Sequence, residues 1–284
     1  MPDLPSRPDS DHLRSLLDRG DVAGLAALLA ADPAAARRRM GPWCDHPLGA
    51  DPLGYVAMLR YDTAHDVWRD VAGTADLARA LLAAGAAVNG EPDDLESPLI
   101  TAASYGDAAV ARVLIEAGAD LEATAAATAG GVPGGTALLH AAVFGMTAVV
   151  DVLVGAGAGV PDLVQAAAAG DVRGRLRPDT AEQERILALI MAADHQRLPV
   201  IDALVAAGTP VDGVDTTWGR HPLRTAATNG RPAAVVRLLA HGADPALRDA
   251  EGRTPLDLCR SGRSRYVDTR GHDEVAVLLA GSGA

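Results

Sequence analysis

Small and aliphatic residues return along this chain at one fixed interval. Ala102-Ala103, Ala141-Ala142, Ala192-Ala193 and Ala226-Ala227 are each followed, twelve residues after the first alanine, by Leu114-Ile115, Leu153-Val154, Leu204-Val205 and Leu238-Leu239. The alanine pairs predict a first helix that its neighbours approach closely. Apolar spacing such as Val110, Val113 and Leu114 predicts a second helix with one buried face. A glycine three residues beyond the aliphatic pair suits the left-handed position that closes a helix. First helices open on a capping side chain with proline behind it, as in Asp51-Pro52-Leu53, Ser97-Pro98-Leu99 and Thr254-Pro255-Leu256. Thr136-Ala137-Leu138 keeps only the cap, His221-Pro222-Leu223 keeps the proline without a standard cap, and Leu187-Ala188-Leu189 keeps only the spacing. Gly85 and Gly118 stand 33 residues apart, Gly208 and Gly242 34. Such a period marks units that cannot bury their apolar faces singly and must stack.

Ser97 to Gly106, followed by Val110, Leu114-Ile115 and Gly118-Ala119-Asp120, resembles an ankyrin repeat, and Thr254-Pro255-Leu256-Asp257 with Gly271-His272 is similar to the same signature. The resemblance covers nearly the whole chain. It implies an all-α solenoid of antiparallel helix pairs with projecting hairpin loops, whose loop tips and inner helices form a concave, partner-binding face. Its units would be an N-terminal cap over 10–40, repeats over 48–90, 94–124, 132–159, 184–214, 218–248 and 251–281, and a degenerate unit over 160–183, all within one array, 1–284.

Packing already accounts for the regular positions, so departures from the pattern carry more information. Thirteen residues, roughly 60–73, are inserted between the two helices of the first full unit, bringing His65, Asp66 and Trp68. Seven are inserted in the last, with Arg260, Arg263, Arg265, Tyr266 and Arg270. The Ala, Thr and Gly-rich loop 123–135 reads as a mobile tip. In the degenerate unit, 162–170 reads as a first helix and 171–176 as a truncated second one.

Composition narrows the class. The chain of 284 residues is 49% hydrophobic but 3% aromatic, a core of alanine, leucine and valine that suits thin helical layers. No run approaches a membrane span and residues 1–14 hold no secretory signal, so a cytoplasmic location without membrane contact is expected. Cys44 and Cys259 lie near opposite ends and are expected to stay unpaired, in agreement with a reducing compartment. A formal net charge of -12 repels polyanions, which argues against nucleic acid and for a basic or neutral protein partner. All 25 basic residues are arginine, a bias attributed to GC-rich, bacterial coding; without lysine there is no Schiff-base chemistry and no P-loop. Gly155-Ala156-Gly157-Ala158-Gly159 follows a helix and no strand, so a dinucleotide loop is not expected either.

Two constellations hold residue types that can do chemistry or anchor a partner. Trp43, Cys44, Asp45, His46 and Asp51 precede the first full unit, and His65 and Asp66 lie in its insert. Histidine with carboxylates can supply a base or metal ligands if the fold unites them, whereas a cap role for Asp51 and solvated His65 and Asp66 need no such union. Trp218, Arg220, His221 and Arg224 place an aromatic, two cations and an imidazole on the expected concave flank, where tryptophan and arginine make good anchors; the plainer role for Trp218 is cover for the neighbouring hairpin. His140 is expected to serve its own helix packing. The sequence thus favours a non-catalytic protein-binding module, monomeric and without cofactor or metal, with partner contacts at Trp43, Trp218, Arg220, His221 and Arg224. The alternatives are a small-molecule binder or hydrolase using His46, Asp51, His65 and Asp66, and an antitoxin or immunity-like binder of a basic protein.

Overall fold

The computed structural model describes residues 7–40, 50–62 and 65–282. Trp43, Cys44, Asp45 and His46 lie outside the described residues. The chain forms two compact units, the first made of residues up to Asp66 together with Asp70–Gly159, the second of Val67–Arg69 together with residues from Val160 onward.

In the first unit α1 (Arg7–Asp18), α2 (Val22–Ala31) and a short 3-10 turn (Pro33–Arg37) precede three helix pairs: α3 (Pro52–Met58) with α4 (Thr74–Ala83), α5 (Pro98–Ser104) with α6 (Ala108–Glu116), and α7 (Ala137–Val143) with α8 (Thr147–Gly155). First helices α3, α5 and α7 pack in sequence order, and so do second helices α2, α4, α6 and α8. The second unit repeats the arrangement. It starts with α9 (Leu163–Ala169), then α10 (Glu182–Asp194) with α11 (Leu198–Ala206), α12 (Pro222–Thr228) with α13 (Pro232–Ala240), and α14 (Pro255–Arg263) with α15 (Arg270–Gly281). Here α9, α10, α12 and α14 form one layer and α11, α13 and α15 the other. The fold is all-α, with two-residue strands β1 (Tyr61–Asp62) and β2 (Val67–Trp68) in the first insert.

The predicted caps explain where helices begin. Asp51 accepts from the Leu53 and Gly54 amides at 2.8 and 3.1 Å, Ser97 from Ile100 at 3.3 Å, and Thr254 with Asp257 completes a capping box. Closure follows too: Gly118 has φ 88, a left-handed value that a residue with a Cβ adopts only under strain. All four alanine pairs and Leu114, Leu153, Leu204 and Leu238 are fully buried, each leucine contributing about 2 kcal/mol of apolar transfer.

Two expectations are corrected and a third is extended. Residues 171–176 form turns and no helix; Val172 is the sole apolar residue ahead of a left-handed Gly174, φ 77, which leaves no buried stripe to stabilise a helix. Loop 123–135 is tied down: Ala125 and Ala126 donate to the Gly135 and Leu95 carbonyls at 2.9 and 2.7 Å. His140 clamps that loop in addition to packing within its helix. Its Nε2 donates to the Val132 carbonyl at 2.9 Å, so its Nδ1 is the lone pair facing Ser104 Oγ at 2.8 Å. Burial pushes the His140 pKa down and keeps this neutral form.

Candidate binding surface

Hairpin loops of the second unit share a carboxylate clasp. In the loop before α14, Asp249 accepts from the Glu251 and Arg253 amides at 3.0 and 2.8 Å and from Arg253 Nε at 2.8 Å, while its own amide donates to the Arg253 carbonyl at 3.0 Å. In the loop before α12, Asp215 is 1% exposed and accepts from the Thr217, Trp218 and Arg220 amides at 2.9, 2.8 and 2.6 Å, while its amide donates to the Arg220 carbonyl at 3.0 Å. Aligning Asp-Thr-Thr-Trp-Gly-Arg, from Asp215, with Asp-Ala-Glu-Gly-Arg, from Asp249, shows the first tip to be one residue longer.

That longer tip carries the large side chain. Trp218 is 56% exposed, more than the plainer expectation of a cover for the neighbouring hairpin requires, and Val214 on the same loop is 42% exposed. Where Arg253 donates from Nε to its clasp carboxylate, Arg220 lies over the Trp218 ring with its guanidinium carbon 4.9 Å from the centroid, a cation–π contact. Thr216 is tied back to Gln183 Oε1 at 3.0 Å, and Arg224 Nη2 reaches the Gly219 carbonyl at 3.4 Å. The loop is therefore held rigid by its backbone while an indole stands in water.

His221 acts below this tip. It is fully buried and caps α12 through Nδ1, which accepts from the Arg224 amide at 3.3 Å; the sequence had offered no standard cap there. Nε2 lies 3.3 Å from Asp212 Oδ1, near enough for ion pairing but off the axis of a directed hydrogen bond, and it is left without an acceptor. Burial, with the Arg224 charge beside it, pushes the His221 pKa down to about 4 against the pull of Asp212 and Asp244.

The other constellation does not assemble around a reaction centre among the described residues. Asp51 is committed to its cap, and burial pushes its carboxyl up against the two amide bonds it accepts. His65 is exposed and pairs through Nδ1 with Asp62 Oδ2 at 3.0 Å, while Asp66 accepts the Tyr61 hydroxyl. No group of three His, Cys, Asp or Glu side chains among the described residues could hold a metal ion. No described helix is long and apolar enough to cross a membrane.

Asp51 does have a neighbour that sequence reasoning missed. Asp51, Asp94 and Glu96 line a cavity of about 20 Å³ with Met58 and Thr101. Asp94 is paired with Arg39 at 2.7 Å, whereas burial alone pushes Glu96 up to about 7. An acid whose folded pKa exceeds its unfolded value stabilises fully below about 4.5 and loses that contribution as pH rises through about 7. Glu96→Gln is expected to leave stability unchanged at pH 4 and to raise it by about 2 kcal/mol at pH 8, read from urea unfolding at both pH values.

Models of the ankyrin family match two stretches, one for three copies of the repeat over residues 70–163 and one for many copies over residues 204–259. Together they span more than half of the chain, and each falls on the stacked helix pairs described above. The chain belongs to the ankyrin repeat family. Ankyrin repeats are in general protein–protein interaction modules, and typically not enzymatic. Curated relatives include human espin-like protein, 36% identical over 81 residues, 28% of this chain and 7% of that protein. Drosophila melanogaster E3 ubiquitin-protein ligase Ufd4 is 45% identical over 73 residues, 25% of this chain and 2% of that protein. The chain thus spans a small fraction of these relatives' own length. The solved human ASB11 ankyrin repeat domain is 23% identical, covers 81% of this chain and 98% of its own, and has a TM-score of 0.39.

Proposed function

We propose that this ankyrin repeat protein is a non-catalytic binding module whose protein partner is anchored by Trp218 on the flank built by the hairpin loops and first helices of the second unit. The observation that carries the reading is the extra residue in the 215–220 tip: a tryptophan outside the buried core, more than half exposed on a loop immobilised by a buried carboxylate. Exposing an indole in this way is unfavourable to the free protein, and rigid aromatic anchors lose little conformational entropy on binding. Val214 adds exposed apolar surface to the same loop, and Arg224, at the start of α12, reaches the Gly219 carbonyl of the tip. A net charge of -12 favours a partner that is basic or neutral overall.

The test is a double replacement at the exposed anchors. A partner recovered from native extract and identified by cross-linking from position 218 is expected to lose roughly 100-fold in affinity on Trp218→Ala with Arg224→Ala, the size of a hot-spot loss. Circular dichroism should be unchanged. Full affinity after both changes would remove the Trp218 flank as the contact surface.

A further inference from the structure

We propose that His221 is a proton-sensitive latch for the Trp218 loop: uptake of one proton by the imidazole removes the acceptor that caps α12 and loosens the tip that carries the anchor. The proposal rests on the binding surface assigned above and adds its regulation.

The other side-chain caps described for first helices are oxygens, from Asp51, Ser97, Thr136, Asp162 and Thr254. A hydroxyl oxygen keeps its lone pairs at any ordinary pH. The cap of α12 is a ring nitrogen, and it accepts only while it is unprotonated. Because Nδ1 receives the Arg224 amide, the proton of the neutral ring sits on Nε2. That assignment also rules out Nε2 as a metal ligand, since a metal there would require the proton to move to Nδ1 and would abolish the cap.

A second proton can enter only at Nδ1, where it would point at the Arg224 N–H. Two donors would then face each other, and the cation would stand beside the Arg224 guanidinium. The charged groups acting on the ring are Arg224 from α12, Asp212 from the preceding hairpin and Asp244 from the following one. Asp212 is itself tied to the next hairpin, accepting the Asp244 amide at 3.2 Å. Protonation therefore trades a lost cap for a stronger pull toward Asp212, a displacement of the residue that adjoins Arg220 and Gly219 in the tip. Two other buried histidines behave differently. His140 and His272 donate from Nε2 to the Val132 and Thr228 carbonyls, bonds that a further proton leaves intact.

The direction in pH follows from the depressed folded value of about 4 against about 6.5 for an unfolded histidine. The unfolded chain, or a loop opened at this point, binds the proton more readily in that window. Closure is complete above pH 6.5 and weakens as pH falls toward 4, by roughly 300-fold across 2.5 pH units.

The test uses the full chain alone, titrated from pH 7.5 to 4 by nitrogen-resolved NMR, with hydrogen-exchange protection read at the Arg224 amide. Ring protonation below pH 5 is expected to coincide with at least a 30-fold loss of protection at Arg224 and a shift of the Trp218 indole signal. His221→Thr, which restores an oxygen cap, is expected to hold protection flat to pH 4. The latch is overturned if the wild-type ring gains its proton with Arg224 protection unchanged, or if the threonine variant loosens to the same degree. Should that variant fail to fold, the wild-type coincidence of the two signals decides by itself. No partner enters the experiment, so its failure leaves the protein-binding reading standing, and failure of the Trp218 contact leaves the latch standing.

Discussion

Asp215→Ala is expected to weaken partner binding as much as loss of the anchor itself, by about 100-fold, although the carboxylate is buried and touches no partner. Three amides converge on it at 2.6 to 2.9 Å. Hydrogen bonds to a charged acceptor contribute about 1.5 kcal/mol or more apiece, so the alanine variant forfeits about 4 kcal/mol of local order. The tip can then sample many conformations, and the ordering returns as a binding penalty. Asp215→Asn retains one oxygen for the Thr217 and Trp218 amides and should fall between the two. Calorimetric titration with the identified partner measures both variants, and hydrogen exchange at Trp218 separates loss of order from loss of fold. An alanine variant that binds normally would show that the clasp is dispensable.

Gly262→Ala is expected to destabilise the second unit by about 4 kcal/mol. The α14 backbone crosses α12 so closely that a Cβ at Gly262 would fall inside the van der Waals shell of the Thr228 carbonyl oxygen. Backbone cannot swing aside as a side chain can, so the helices must part, an overpacking cost of about 3 kcal/mol. The same oxygen accepts from His272 Nε2 at 2.9 Å, and displacing it loses about 1 kcal/mol more. Urea unfolding followed by circular dichroism provides the measurement. A midpoint within error of the parent would mean that the α12–α14 approach is looser than described.

Helix pairs were legible in the sequence because their determinants are local: an oxygen cap, a proline behind it, an alanine pair, an aliphatic pair and a glycine, each acting within one turn of its neighbours. Non-local effects were harder to read. His140 immobilises the loop 123–135 across eight residues and shares Ser104 across thirty-six, relations that no spacing rule encodes. His221 is hard to recognise as a cap because an imidazole seldom serves as one, and the carboxylate cavity around Glu96 exists only once α3 and the loop before α5 are folded together. Of the predicted contact residues, Trp218, Arg220, His221 and Arg224 do cluster, with His221 inside as a support and Trp218 outside. The signal that separates them was present in the chain: laying the 215 and 249 tips side by side isolates Trp218 as the surplus residue.

That surplus has a practical corollary. Because an aspartate gathers the backbone of both tips and a first helix follows each, exchanging the six-residue segment for its five-residue counterpart should erase recognition while sparing the scaffold. The reverse graft, placed before α14, would transplant an indole to a new address along the same unit.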